Sequence, residues 1–339
     1  MQSLLDPAIL FFVFGVIAGA LKSNLEIPPA IAKFLSLYLL MALGLKGGFA
    51  LSQSGFSPQM LSSLGAAMAM AVIVPALGYR LLRHKLSGFD AAAVAASYGS
   101  VSAVTFVTAT QVLESQGLQP NGTMTVAMVL METPAIVMAV LLANALRHAA
   151  TANAAVPVGV TSGGAAVAGM GTGGPGMPIG KILRDSFTDG THLLLLGSLA
   201  VGCITGEAGK AVMEPFTGDL FKGLLAFFLL DMGLLVARHF DTARQQSPWL
   251  IVYAVVSPLA HAAIALGLAS ALSLPVADAA LLMVLSASAS YIVVPAVLRH
   301  AVPEANPSLY LGLSLGITFP LNILVGIPLY LQAARWALG

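Results

Sequence analysis

Ten apolar runs follow one another along this chain, at residues 8–21, 28–51, 57–83, 89–113 and 121–146, then at 191–206, 217–237, 249–272, 276–298 and 307–333, with Pro, Gly, Ser and charged residues between them. Within a run the apolar positions do not alternate with polar ones, and Ala, Leu and Gly dominate, so each reads as a helix apolar all round rather than as a strand. Crossing a hydrocarbon core of about 30 Å takes roughly 20 helical residues. The pattern therefore predicts an all-α polytopic membrane protein of about ten spans, five in each half, and each half opens with an unusually short run. A β-barrel, the other structure able to satisfy its backbone in lipid, needs short segments of alternating polarity, which are missing.

Five spans per half is an odd number, so two similar halves must enter the membrane in opposite senses, the condition for an inverted repeat. The halves do echo each other. Asp90 is followed ten residues on by Ser100-Val101-Ser102, and Asp278 ten residues on by Ser288-Ala289-Ser290. Pro134 and Pro320 share nearly the same spacing, as do Gly47 and Gly233. The expected organisation is a first five-helix repeat over 1–148, a linker over 149–185 and a second, inverted repeat over 186–339. The linker is nearly all Ala, Gly, Val, Thr and Pro up to residue 180, which reads as flexible. Its glycines do not make a phosphate loop: a Walker pattern ending at Gly180-Lys181 needs Gly and Ser or Thr where Pro175 and Ile182 stand.

Composition agrees with burial in lipid, since 58% of the 339 residues are hydrophobic and 9% are charged, against roughly 25% charged in a soluble domain. A net charge of +1 with no basic run gives nucleic acid nothing to bind. Cys203, the lone cysteine, cannot form a disulfide or a cysteine metal site within one chain and is expected to be a small packing residue. No basic n-region precedes the first run, which reads as a retained span. The few charges sort by loop. Lys22, Arg80, Arg83, Lys85, Arg147, Lys181, Arg184, Arg238, Arg244 and Arg299 fall on one side, and little beyond Lys210 and Arg335 on the other. By the positive-inside rule the first side is cytoplasmic, linker included, with both termini outside, as in a bacterial-type inner membrane.

Two segments, Ser97-Tyr98-Gly99-Ser100-Val101-Ser102-Ala103-Val104-Thr105-Phe106 and Ser286-Ala287-Ser288-Ala289-Ser290-Tyr291, put hydroxyls and small residues in the middle of spans. A helix interrupted there exposes N–H groups with positive dipole character at the start of its second half. If both interruptions meet at the midplane, a small oxyanion can be held by Gly99, Ser100, Ser102, Ser288, Ala289 and Ser290 without an arginine. Small residues and helical serines also serve plain helix packing; the matched pair is what favours a site. Glu132 lies mid-span with no basic residue in its own run, where a charge costs about 2.5–3.5 kcal/mol on insertion scales. It calls for a cation, and with Thr105, Thr318 and Asn322 it supplies the hard oxygen ligands of Na⁺. Lys46 and Asp231 are expected to pair with each other, and Asp90 and Asp278 to cap helix starts. His84, His148, His239 and His300 each follow an arginine at a cytoplasmic end. No nucleophile-plus-base pair indicates an enzyme, and no cofactor is implied beyond Na⁺ as coupling ion.

Leu21-Lys22-Ser23-Asn24-Leu25-Glu26-Ile27-Pro28, Leu43-Gly44-Leu45-Lys46-Gly47-Gly48 and the first serine segment resemble the SbtA-type sodium-dependent bicarbonate transporters, and the similarity covers essentially the whole chain. The resemblance implies a homotrimer in the lipid membrane, with a core domain moving against a gate domain to import bicarbonate together with Na⁺. By motif it places substrate and sodium around Ser100, Ser102 and Thr105 and around Ser288 and Ser290. It also implies a PII-like SbtB trimer as regulator on the cytoplasmic face, for which this linker has little charge to grip. The expected function is sodium-coupled import of a small oxyanion, bicarbonate foremost. The alternatives are proton- or sodium-coupled import of another small anion such as a carboxylate, and a non-transporting membrane sensor.

Overall fold

The computed structural model describes residues 6–54, 58–120, 122–154 and 190–339. These residues form helices α1 (Pro7–Ala20), α2 (Pro29–Ser54), α3 (Pro58–Leu82), α4 (Gly88–Gly99), α5 (Ala103–Ser115), α6 (Thr123–Ala154), α7 (Gly190–Thr217), α8 (Asp219–Arg244), α9 (Pro248–Ala271), α10 (Val276–Ala287), α11 (Val293–Ala301) and α12 (Pro307–Leu338), with no strand among them. Eight helical stretches are long and apolar enough to cross a membrane, one of them α4 and α5 taken together; α1 and α10 are shorter apolar helices. The protein is an all-α polytopic membrane protein. α6 continues to Ala154, into the stretch whose composition reads as a linker; the rest of that stretch lies outside the described residues.

Helix ends follow local chemistry. Asp6 caps α1 by accepting from Ala8 N–H at 2.8 Å, with Pro7 at the first helical position where no donor is needed. Ser87, not Asp90, caps α4: its Oγ accepts from Asp90 N–H and donates to Asp90 Oδ2 at 2.7 Å, while Asp90 Oδ1 accepts from Asn306 N–H at 2.8 Å. Asp278 likewise sits inside the first turn of α10, buried, after an N-cap Pro275 that has no side chain to offer. Both aspartates favour the N-terminal dipole but neither is the cap. α7 kinks at Gly206, whose φ of 53° only glycine adopts at no cost, so the short apolar run 191–206 ends at a real bend and a more polar stretch follows.

In lipid, helices associate by van der Waals contact rather than hydrophobic drive, so small residues mark the closest pairs. α2 with α7 and α1 with α8 are the most extensive pairings. Gly44 and Gly48 of α2 lie on the backbone of Leu195, Leu199, Gly202 and Cys203, and Gly15 and Gly19 of α1 lie on Leu230, Gly233 and Leu234. The first helix of each half thus packs on the second helix of the other. It is Gly48, one residue from the Gly47 singled out by spacing, that repeats the Gly233 contact; Gly47 instead faces Thr125 of α6. We group these four helices as one body on the strength of those pairings, although α8 also packs on α12 and α2 on α6. The other contains α3–α6 and α9–α12, and its interrupted helices are shielded from lipid: 94% of the most apolar stretch of Gly88–Ser115 is buried, against 22% for α7. Non-helical backbone at membrane depth needs that shielding. Arg147 closes a corner of this body, donating to Glu304 from Nε and Nη2 at 2.8 Å, and this hydrogen-bonded pairing holds the Glu304 carboxyl below the usual carboxylate range.

α12 is helical throughout but widens twice, over Ser314–Thr318 and Asn322–Gly326, into five-residue π turns. Each π turn ends two residues before a proline, Pro320 and Pro328. A proline lacks the N–H and its ring crowds the carbonyl four residues back, and a wider turn relieves both problems without ending the helix.

Candidate functional site

The two serine segments are interrupted helices, and the interruptions touch. α4 stops at Gly99 and α5 starts at Ala103; α10 stops at Ala287 and α11 starts at Val293. Extended backbone between them trades bonds across the crossing. Ser102 N–H donates to Ser288 Oγ at 3.0 Å, and Ser290 N–H donates to the Ser97 carbonyl at 2.7 Å. The first turns of α5 and α11 both end here, each with N–H groups that have no acceptor in their own helix. Ser102 Oγ accepts from Thr105 N–H at 3.3 Å and from Thr105 Oγ1 at 3.0 Å, and Ser290 Oγ accepts from Val294 N–H at 3.3 Å. Both serines act as acceptors in these bonds; the Ser102 hydroxyl also bonds to the Tyr291 hydroxyl, which donates onward to Met232 Sδ.

A cavity of about 70 Å³ opens against both helix starts, with room for a small ion or a few waters. Its wall includes Val101–Val104 on one side and Ser290–Val293 on the other, closed by Ser36, Glu132 and His192. Of the six residues expected to hold an anion, Ser102 and Ser290 line this cavity. Ser288 is a structural tie, because its hydroxyl proton goes to the Leu285 carbonyl at 2.8 Å and is not available to an anion. Gly99 is required by packing: a Cβ there would lie 2.5–2.6 Å from the Pro75 ring of α3. Ser100 and Ala289 are buried beside the crossing but outside the cavity wall. Ser97 Oγ, Ser100 Oγ and Ser286 Oγ are buried without a protein partner, a condition that costs about 1–3 kcal/mol each and leaves them open to a polar ligand.

The expected sodium ligands divide into two groups. Glu132 of α6 faces the cavity and meets His192 Nε2 of α7, so its partner is a protein side chain, not only an ion. Thr318 and Asn322, from the two π turns of α12, lie near the opposite ends of the broken helices, where carbonyls lack partners and the dipole is negative; Asn322 bonds such a carbonyl, and Thr318 meets the side chain of Tyr98. Thr318 Oγ1 donates to the Ala254 carbonyl at 2.8 Å and accepts from Tyr98 of α4 at 2.6 Å. Asn322 Nδ2 donates to the carbonyl of Ala287, the last residue of α10, at 2.8 Å, and Tyr330 donates to Asn322 Oδ1 at 2.9 Å. Thr105 stands on the other side of the crossing, steadying Ser102.

Lys46 does not pair with Asp231. Its Nζ lies 2.7 Å from Glu114 Oε2 and 4.4 Å from the centre of the Phe221 ring. Glu114 stands in the last turn of α5, which carries it into reach of α2. His192 and His261 also went unremarked. They are the two histidines with no arginine beside them, a usable signal of burial, and both are buried.

Interrupted helices meeting inside a lipid-shielded bundle, with opposed helix starts around a small cavity, are the architecture of a membrane transporter. The chain belongs to the Na⁺-dependent bicarbonate transporter superfamily, whose family model matches residues 7–335. No curated protein sequence matches it.

Proposed function

We propose that the chain imports bicarbonate together with Na⁺, by movement of the body containing α3–α6 and α9–α12 against the body made of α1, α2, α7 and α8. The observation that carries this reading is the crossing itself. Two positively poled helix starts and two serine hydroxyls converge on one cavity with no lysine or arginine in its wall. Neutral donors recognise a small monovalent oxyanion and still let it go, where a buried guanidinium would hold it. The anion is assigned to the N-terminal ends of α5 and α11 with Ser102 and Ser290. Na⁺ is assigned to the C-terminal ends of α4 and α10, with backbone carbonyls, Thr318 and Asn322 as oxygen donors. Glu132 then belongs to the His192 pair on the anion side.

In this reading the halves are inverted repeats, supported by the reciprocal packing of α1 on α8 and of α7 on α2. Charge sorting supports a cytoplasmic linker and external termini. A homotrimer, and a PII-like regulator at the linker, come from the family resemblance alone. The test is uptake of labelled bicarbonate into vesicles holding the purified protein. Accumulation is expected only under an inward Na⁺ gradient, and Ser102→Ala with Ser290→Ala is expected to reduce it by tenfold or more. Accumulation indifferent to Na⁺, or an undiminished double variant, sinks the assignment.

A further inference from the structure

A second, larger cavity of about 810 Å³ lies beyond the first along α5, between α2, α5, α6, α7 and α8. It is separated from the first cavity by little more than a helical turn: Leu40 and Leu43 of α2 line the first and the second respectively, as do Val104 and Phe106 of α5, and Met128 and Thr125 of α6. One turn is about 5 Å. The floor of the larger cavity is therefore the roof of the anion cavity, with Phe106 and Leu43, both fully buried, as the partition.

Its charges are Lys46, Lys210, Lys222, Glu114 and Glu214, three cations against two carboxylates. Lys46 is placed deepest on α2, one turn above Leu43. Glu114 takes one of the three N–H donors of its ammonium at 2.7 Å, and the Phe221 ring covers another side. The carboxylate that holds Lys46 is a planar anion with two equivalent oxygens, the shape and charge of a small oxyanion of the bicarbonate or carboxylate type. A second such anion can take the same bond. Because Lys46 sits on one body and Glu114 on the other, that exchange also frees α2 from α5.

We propose that this cavity is a recruitment site for small planar oxyanions, at which the arriving anion displaces Glu114 from Lys46 directly above the partition. The proposal rests on the reading that the chain moves such an anion, and it deepens that reading by adding a site ahead of the serine crossing. The lysines around the cavity raise the local anion concentration and the rate of capture, Lys210 less than the others because Glu207 lies 3.9 Å from it.

Lys46→Gln and Glu114→Gln separate recruitment from a purely structural ion pair. Recruitment requires opposite effects: Lys46→Gln raises the KM for bicarbonate about five- to tenfold with kcat little changed, and Glu114→Gln, which removes the competitor, lowers KM. A structural pair requires both variants to lose activity in the same direction and the charge-swapped double variant Lys46→Glu, Glu114→Lys to recover it; that result overturns the proposal. A readout independent of transport uses Gln53→Cys, at the cavity wall, in protein carrying Cys203→Ser. An anionic methanethiosulfonate is expected to label it faster than a cationic one, bicarbonate is expected to slow that labelling, and Lys46→Gln is expected to abolish the preference. Equal labelling rates, or no effect of bicarbonate, overturn the proposal. Vesicles that show no sodium-driven uptake while the labelling preference persists refute the transport reading and leave the recruitment site standing.

Discussion

Glu132 and His192 touch across the boundary between the two bodies, in the wall of the cavity where the helix starts converge. A buried carboxylate deprived of its partner is left with an uncompensated charge or takes up a proton, and either disturbs the cavity. Glu132→Gln and His192→Gln are each expected to lower bicarbonate uptake about tenfold, equivalent to roughly 1.4 kcal/mol of barrier. The double variant should be no worse than the poorer single one, as for two residues that act as one unit. The Na⁺ concentration giving half-maximal uptake should stay where it is in all three. A rightward shift of that concentration in Glu132→Gln returns the carboxylate to the ion site. Glu132 could be read from the sequence because one charge inside an apolar run has to be explained. Its partner could not, since it lies 60 residues away on another helix, and nothing in the local pattern of either run connects them. The same limit applies to Lys46: its charge was visible, its bond to Glu114 was not, because that bond depends on how α5 leaves the crossing.

At the scale of elements, the positions of the breaks were readable and their internal wiring was not. Serine and glycine within a span announce a place where backbone can open. Which hydroxyl faces a ligand, which ties two segments together and which has no partner follow only from the way α4–α5 and α10–α11 cross. This division predicts unequal consequences for neighbouring substitutions. Ser100→Ala removes a buried hydroxyl that bonds to nothing in the protein, so it should leave thermal stability unchanged or slightly raised. Gly99→Ala, one residue earlier, drives a methyl group into the Pro75 ring and should lower the melting temperature and uptake together. Ser288→Ala deprives Ser102 N–H of its acceptor and should cost about 1–3 kcal/mol. Thermal unfolding of the three variants in one detergent ranks them, and an order with Ser100→Ala at the bottom contradicts the wiring described. The π turns of α12 show the same limit. Pro320 was noticed through its match to Pro134, yet the widened turns arise from the spacing of Pro320 and Pro328 along one continuous helix. Their effect, turning Thr318 toward Tyr98 of α4 and the Ala254 carbonyl of α9 and Asn322 toward the carbonyl end of α10, has no one-dimensional signature.

For the whole molecule, the decisive question is whether the two bodies move relative to each other. Within α1, α2, α7 and α8 the glycine contacts bring backbones together along whole helices, which favours a rigid unit. Among the described residues, the polar contacts joining that unit to the rest include Lys46 to Glu114 at one cavity, Glu132 to His192 at the other, and a long contact of 3.8 Å from the Tyr291 hydroxyl to Met232 Sδ, beside close packing of Gly122 on Gly47 and of Gly316 on Ala243. Sliding of one body past the other has to break these contacts and would carry the serine crossing with it, so a covalent link across the boundary should stop transport without touching either cavity. α8 and α12 supply the place. A Cβ built on Gly312 lies 3.6 Å from Thr242 Cγ2, in van der Waals contact, so a small approach of the two side chains brings a cysteine pair there to disulfide geometry. In protein carrying Cys203→Ser, the pair Thr242→Cys with Gly312→Cys should run as an intramolecular disulfide after mild oxidation, detected by the mass difference on reduction. Sodium-driven bicarbonate uptake should fall below a tenth of the reduced protein's value and return when a thiol reductant is added, while either single cysteine variant should be insensitive to both treatments. Full uptake in protein shown to be cross-linked means that α8 and α12 travel together, and the moving boundary then lies elsewhere, with the Lys46–Glu114 and Glu132–His192 pairs as internal braces of one body.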